Sequence, residues 1–505
     1  MAGIGVKLNR IFEKKSMFAY LAGFGYSTVI TVAPMFVVIG AIMAAQFFLG
    51  FADVDYYRRE LFSDTVLYIF IFSLLASSPL NSVLSRYLSD VIFKEQYADI
   101  MPCFYVGLLI SAVLGALVSI PFCIHEIVVG GVAVYYVFTG FCGFMGLLLT
   151  FYAMLFLGIT KDYVKISLCF LSGMLVTLGL AFLLIRWCRW ETTYAVLFSL
   201  VAGFLIIGAM EYAIIRSYFR MNSRQYREVL RYFKIYWKLV LVNFLYTLGL
   251  YAHNFVFWCT PLHTILVKSF VTVMTYDMAT CLAMFTNLSA TVIFISRIEM
   301  HFHSRYKAYS EAVIGGRGQD IRNTKRRMFR QMGDEIMSLI RVQFIITVAV
   351  FLICEIFLPR VGFGGATMRI YPCLCVGYFI LFIMYGEILF LYYFNELNGA
   401  LLTVCGFFGV TVLGSVFATQ LPEIWYGIGL VAGAFVGFTV GYFRLKRIQK
   451  VLDAHVFCTG SLMLRGKGKK PEGKVLDRRE KPEEKKEKPL AVRAVARREQ
   501  EAERV

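Results

Sequence analysis

Charged residues are scarce in this chain. Asp, Glu, Lys and Arg make up only 17% of its 505 residues, while hydrophobic residues make up 59%. A soluble fold of this size needs more polar surface to cover its exterior, so a water-soluble globular protein is excluded. Catalytic signatures are missing as well. The chain has no HExxH, no GxSxG, no Walker A loop and no zinc-ligand spacing. Lacking a Walker loop, it cannot drive transport with ATP that it hydrolyses itself. The energy has to come from an ion gradient, the membrane potential or the synthesis of the cargo. A membrane-embedded glycosyl- or acyltransferase would need an acidic or histidine-containing catalytic loop, and none is found, so no enzymatic activity is expected. The 12 cysteines lack an arrangement. Cys373 and Cys375 form the only close pair, with no second pair and no histidine nearby, so the cysteines read as small buried hydrophobes. No metal and no cofactor are expected. The opening MAGIGVKLNRIFEKKS lacks a cleavage site and reads as a retained cytoplasmic end.

What the chain does have is apolar runs of about 20 residues, the length that spans a bilayer as a helix. Six are expected near 17–48, 62–84, 103–124, 130–157, 165–186 and 193–215, and six more near 237–258, 280–299, 336–358, 370–394, 398–419 and 423–445. All are expected to be helical, because irregular backbone and open sheet edges cannot face lipid. Lys and Arg set the orientation. Loops assigned to the cytoplasm hold roughly 29 of them up to Lys450 and the opposite side roughly 7, which places both termini inside. Trp187, Trp190, Trp258 and Trp425 fall at outer ends and Trp237 at an inner end, as interfacial anchors. The net charge of +18 follows the same loops and the tail, a pattern that suits anionic lipid. No nucleic-acid module is present, so nucleic acid is not an expected partner.

Seven Lys/Arg between Arg216 and Lys238 divide the spans six and six. The expected architecture is therefore all-α, integral to the membrane, with about 12 spans in two six-helix lobes. Residues 1–215 form the first lobe, 216–238 a basic cytoplasmic linker, 239–450 the second lobe and 451–505 a charged, disordered tail. The tail is rich in Lys, Glu and Pro and has too little apolar area to offset the entropy of ordering. A weak internal echo supports two lobes: SVLSRYLSD ends the second span and VIFISRIEM the eighth, placing Ser85-Arg86 and Ser296-Arg297 alike. Between the eighth and ninth spans, an amphipathic helix is expected up to Gly315-Gly316, followed by a basic helix through RNTKRRMFRQMGDEIMSLIRVQ that leads into the ninth span. Both read as helices on the inner leaflet. Residues 259–279, with Ile265, Val267, Phe270 and Val273, are expected along the outer interface, with a re-entrant segment as the alternative.

Charges inside spans are costly and often mark function. Glu387 stands alone in FILFIMYGEILFLYYF of the tenth span. It is a candidate for contact with a proton, a cation or a sugar amine, beside the plainer reading of a protonated glutamate bonded to a neighbouring helix. His253 and Glu355 lie nearer the outer ends of the seventh and ninth spans, where water reaches them. Asn254, with Asn243 and Asn287, either lines a polar path or pairs helices. Arg86 and Asp90 are four residues apart on one helical face and can pair at the inner end of the first lobe. Arg297 stands in the equivalent place of the second lobe. Together Arg86, Asp90 and Arg297 make a candidate inner gate, with interfacial anchoring as the alternative. Tyr26, Tyr246, Tyr251, Tyr385, Tyr392 and Tyr393 offer aromatic faces with hydrogen-bonding tips, suited to a sugar path or to packing. Pro34 and Pro79 mark helix breaks.

Several segments carry a resemblance. MAGIGVKL at the start, GYSTVITVAPM at 25–35, SSPLNSVLSRYLSD at 77–90, FLGITKDYVKI at 156–166, SRIEMHFHSRYKAYSEAVIGG at 296–316 and YYFNELNGALL at 392–402 resemble the PelG family of exopolysaccharide Pel transporters. The likeness spans residue 1 to about 450 and leaves the charged tail outside it. It implies a member of the multidrug/oligosaccharidyl-lipid/polysaccharide (MOP) exporter superfamily, with two six-helix lobes around a central cavity, as in MATE transporters. It also implies export of an amino-sugar-rich polysaccharide across the cytoplasmic membrane. The expected partners are a cytoplasmic glycosyltransferase and membrane proteins that sense cyclic di-GMP. The basic surfaces at 216–238 and 317–341 are where the glycosyltransferase is expected to dock. An ion-coupled antiporter for small molecules, or a flippase for lipid-linked oligosaccharides, is the other reading of the same architecture.

Overall fold

The computed structural model describes residues 37–45, 47–51, 54–160, 163–266, 270–297, 302–361 and 364–459. Within them the chain is almost wholly helical. Its first-half helices are α1 (37–45), α2 (Tyr56–Phe93), α3 (Ile100–His125), α4 (Val134–Thr160), α5 (Tyr163–Arg186) and α6 (Thr192–Tyr218). A short helix α7 (Tyr226–Ile235) leads to the second half: α8 (Trp237–Trp258), α9 (Met274–Arg297), α10 (His303–Gly315), α11 (Gly318–Phe357), α12 (Ala366–Tyr393), α13 (Leu397–Ala418) and α14 (Ile428–Thr459). Ten of the described helices are long and apolar enough to cross a membrane. The first expected span lies mostly outside the described residues. The eighth is the helix α9, whose side chains from 288 onward also lie outside them.

Several helices outrun the expected spans. The second span continues through Pro79 without a break, so that α2 has 38 residues. Proline cannot donate to the carbonyl four residues back. Here that carbonyl belongs to Leu75, and the Ser78 hydroxyl donates to it at 2.9 Å. The expected break at Pro79 is thereby repaired by its neighbour. The basic helix expected to lead into the ninth span does so without interruption. It is the first half of α11, a single helix of 40 residues that runs on into the ninth span. At 1.5 Å per residue α11 is about 60 Å long, twice the hydrocarbon thickness of about 30 Å. Within 259–279, β1 (Thr264–Leu266) pairs antiparallel with β2 (Phe270–Thr272), Ile265 opposite Val271, and α9 begins at Met274, while Val267 lies outside the described residues. Phe270 and Val273 turn inward and are buried, while Ile265 is exposed.

Buried apolar side chains fall into two clusters. One draws on residues 38 to 229, the other on residues 242 to 452 with Ile71. In the first half α2 packs on α4, α4 on α6, α5 on α6, α3 on α4 and α2 on α3. In the second half the corresponding pairs are α9 on α12, α12 on α14, α13 on α14, α11 on α12 and α9 on α11. The same pairings recur in the same order. Across the halves, α2 lies along α8.

Lipid tails are as apolar as leucine, so helices in a bilayer associate by close fit rather than by escape from water. The fit of α14 comes from Gly429, Gly433, Gly437 and Gly441, spaced four apart on one face. A Cβ on Gly433 would lie 2.8 Å from the Phe407 carbonyl oxygen of α13. A Cβ on Gly414 of α13 would lie 3.0 Å from the Gly429 Cα. Only glycine lets these backbones approach so closely.

Candidate functional site

The two halves meet along the α2–α8 seam. One end of this seam carries the β-hairpin, and the other carries the basic loops. At the hairpin end, the Tyr68 hydroxyl of α2 donates to the Val271 carbonyl at 2.9 Å and accepts from the Val271 amide at 3.0 Å. These are the outward-facing groups of β2, at an edge that would otherwise be unpaired. The Tyr68 ring stacks on Trp258 of α8, with centroids 5.3 Å apart and an interplanar angle of 1°. One turn earlier, Asp64 of α2 accepts from the Thr272 hydroxyl at 3.2 Å. Further along the seam, Phe72 stacks with Phe255 at 6.0 Å, and Asn243 donates to the Ser78 carbonyl at 2.8 Å.

Behind the hairpin lies a buried polar cluster in the second half. Asp277, at the start of α9, accepts from Asn254 at 2.6 Å, from the Trp258 indole at 3.0 Å and from the Val273 amide at 3.1 Å. Asn254 also reaches the Thr280 hydroxyl at 3.2 Å. His253 is fully buried between the hydroxyls of Tyr276, at 2.9 Å, and Tyr378, at 3.3 Å. Asn254 and His253 therefore tie α8 to α9 and α12. Asn287 does the same deeper in the bundle, donating to the Cys375 carbonyl and accepting from Thr347. All three amides singled out from the sequence bond across helices.

At the basic end, Arg86 and Asp90 engage the linker rather than each other. The Arg86 guanidinium lies over the Tyr236 ring, 4.4 Å from its centroid. Asp90 accepts from the Tyr232 hydroxyl of α7 at 2.8 Å. Burial and this bond push the Tyr232 hydroxyl pKa above its ordinary value. The i, i+4 spacing allowed an Arg86–Asp90 ion pair, but the two aromatic partners delivered by α7 take both groups. Arg297 is the last residue of α9, and its side chain lies outside the described residues. Tyr392 of α12 faces Ser82 of α2.

Glu387 is 1% exposed and lies against Gly441 of α14, inside the second half. It sits six residues before the end of α12, nearer the basic end than mid-span. Its Oε2 is buried without a hydrogen-bond partner. Glu355 is half-buried near the far end of α11. Tyr246 and Tyr385 stack at 4.9 Å, and Tyr393 packs on Phe302 at 5.3 Å. Tyr26 and Pro34 lie outside the described residues.

Sequence reasoning passed over Asp64, Tyr68, Asp277, Glu211, Tyr232 and Tyr236. Glu211 had a readable signal. It stands as isolated in FLIIGAMEYAII as Glu387 does in its own span, and both its carboxylate oxygens are buried without a partner. The others had none, because their partners are remote in sequence. No cluster of three or more His, Cys, Asp or Glu that could hold a metal occurs among the described residues.

This arrangement of helices defines a class. It is the fold of MATE transporters of the MOP superfamily. The inward-facing structure of a multidrug resistance MATE family transporter of that superfamily superposes with a TM-score of 0.54, at 13% identity over 84% of this chain and 96% of the other. The eukaryotic MATE transporter AtDTX14 gives 0.53 at 12% identity, over 87% and 96%. A MOP superfamily transporter from Pyrococcus furiosus gives 0.52 at 13% identity, over 84% and 96%. The family then follows. Residues 1–457 match the model described as "PelG: Putative exopolysaccharide Exporter (EPS-E)", and the chain belongs to that family. No match is found among curated proteins. The chain is a multi-pass membrane protein of a transporter family.

Proposed function

We propose that this chain exports a Pel-type exopolysaccharide across the cytoplasmic membrane, through the space between two six-helix lobes. The family match supports export of polysaccharide. The structural observation that carries the reading is the latched α2–α8 seam, where two bundles with the same helix pairings meet through polar and aromatic contacts. Such contacts can be exchanged as the lobes rock, which is how repeat-built transporters alternate access. In this reading the twelve spans comprise α1 to α6, α8, α9 and α11 to α14. The basic end faces the cytoplasm, by the positive-inside rule, and both termini lie there. A cytoplasmic glycosyltransferase supplies the polymer, and membrane partners that sense cyclic di-GMP regulate it. Deleting the gene is expected to trap polymer inside the cell. Normal surface polymer in a clean deletion strain overturns the proposal.

The ion-coupled antiporter reading draws on one observation, the unpartnered buried carboxylate of Glu387. In vesicles energised by a proton or sodium gradient, Glu387→Gln is expected to abolish transport if that group carries the coupling. Undiminished transport by the variant removes this reading.

A further inference from the structure

The helix α11 carries one exposed stripe from the bilayer far into the basic compartment. Arg341 and Arg360 bracket a segment without Lys or Arg. Their separation of about 28 Å along the axis matches a hydrocarbon core of about 30 Å. On the exposed face between them stand Phe344, Val348, Leu352 and Ile356, which suit contact with lipid tails. The same face continues beyond Arg341 as Met337, Arg330, Arg326 and Arg322, all exposed. These arginines recur every fourth residue and so share one side of the helix.

Distance decides what they can touch. Arg330, Arg326 and Arg322 lie about 16, 22 and 28 Å from Arg341 along the axis. The headgroup layer adds only about 5–8 Å on each side of the hydrocarbon. Even a tilt of about 40° shortens the nearest of these heights only to about 12 Å. The stripe therefore stands clear of anionic headgroups. It is also rigidly held. Met328 and Met332 are buried on the opposite side, and Phe329, beside the stripe, is buried and stacks on Phe394 at 5.5 Å. Lys325 donates to Asp453 of α14 at 2.8 Å, and Tyr309 of α10 donates to the same carboxylate at 2.9 Å. The described ion pairs thus use Lys325 and leave out Arg322, Arg326 and Arg330. Residues 317–341 carry seven Lys/Arg against three acidic residues.

We infer that the Arg322–Arg326–Arg330 face is a docking site for an acidic surface of a cytoplasmic protein. This deepens the proposal above and rests on its glycosyltransferase partner being that protein. A braced stalk with one charged face fixes a partner's height and orientation above the membrane, whereas α7 lies against α2 and α3. Complementary charge of this kind governs encounter and salt dependence.

The test uses the full chain in nanodiscs of zwitterionic lipid and the purified glycosyltransferase produced alongside it. Binding is measured at low and high salt for the wild type, for R322Q/R326Q/R330Q and for R322K/R326K/R330K. Vesicles rich in phosphatidylserine and a random DNA duplex serve as competitors. The Gln variant is expected to bind at least about tenfold more weakly with a flatter salt dependence, and the Lys variant to retain binding. Each variant is checked for an unchanged melting temperature. Equal binding by the Gln variant overturns the inference and leaves the partner proposal standing. No binding by the wild type overturns the partner proposal and the inference with it. Displacement of the partner by the vesicles or by DNA assigns the stripe to lipid or nucleic acid, and also overturns it.

Discussion

Tyr68→Phe isolates one atom of the latch between the halves. The ring stays, with its stacking on Trp258, and only the hydroxyl is lost. That hydroxyl makes both hydrogen bonds to Val271, at 2.9 and 3.0 Å. A net intramolecular hydrogen bond contributes about 1 kcal/mol, and leaving a partly buried partner unsatisfied costs about 1–3 kcal/mol. Some water reaches Val271, which is half-buried, so a loss of about 2 kcal/mol for the pair is the expected sum. At 1.4 kcal/mol per tenfold, the hairpin then detaches from α2 about 30 times more often. Hydrogen exchange reads this directly, because the Val271 amide has Tyr68 as its partner and pairs with no strand atom. Its protection is expected to fall about 30-fold in detergent or nanodiscs, while the amides of α12 keep theirs. Unchanged protection at Val271 refutes the view that this hydroxyl holds the halves together at the hairpin end.

Three further outcomes are expected. Gly433→Val overpacks the α13–α14 contact and should destabilise the protein by about 1–3 kcal/mol in thermal melts, whereas Gly409→Ala, with nothing within 4 Å, should melt like wild type. Asp277→Asn puts an amide among the Asn254, Trp258 and Val273 donors, so one donor faces another. A loss of about 1–3 kcal/mol is expected, and a melt unchanged from wild type refutes the cluster's structural role. Tyr232→Phe and Asp90→Ala both break the α7–α2 bond. In a double-mutant cycle their coupling should be about 0.5–1.5 kcal/mol, and faster cleavage of the 219–236 linker under limited proteolysis should accompany either change. Strict additivity with an unaltered cleavage rate overturns the strap.

Particular residues show how legible the molecule is. The helices were readable because a bilayer leaves the backbone no alternative and apolar length alone marks a span. Pro79 misled because its rescue by the Ser78 hydroxyl is a matter of side-chain rotamer. The GxxxG series on α14 was in plain view, yet its meaning depends on which helix it meets. Asp64 falls inside the expected second span and Asp277 in the expected interfacial segment, and hydropathy does not reveal that Thr272, Asn254 and Trp258 meet them. Arg86 and Asp90 were placed on the right face, but their partners arrive from a helix about 140 residues later.

Sequence by itself determined that this chain is nearly all helical and carries many apolar helices long enough to span a membrane. Those properties follow from local quantities, namely apolar length, charge and backbone hydrogen bonding. The tertiary structure decided which side chains meet across the seam, that Glu387 faces α14 instead of the opposite half, and that Arg86 and Asp90 meet Tyr236 and Tyr232. These depend on rotation about helix axes and on contacts between residues far apart in the chain, which no local pattern encodes.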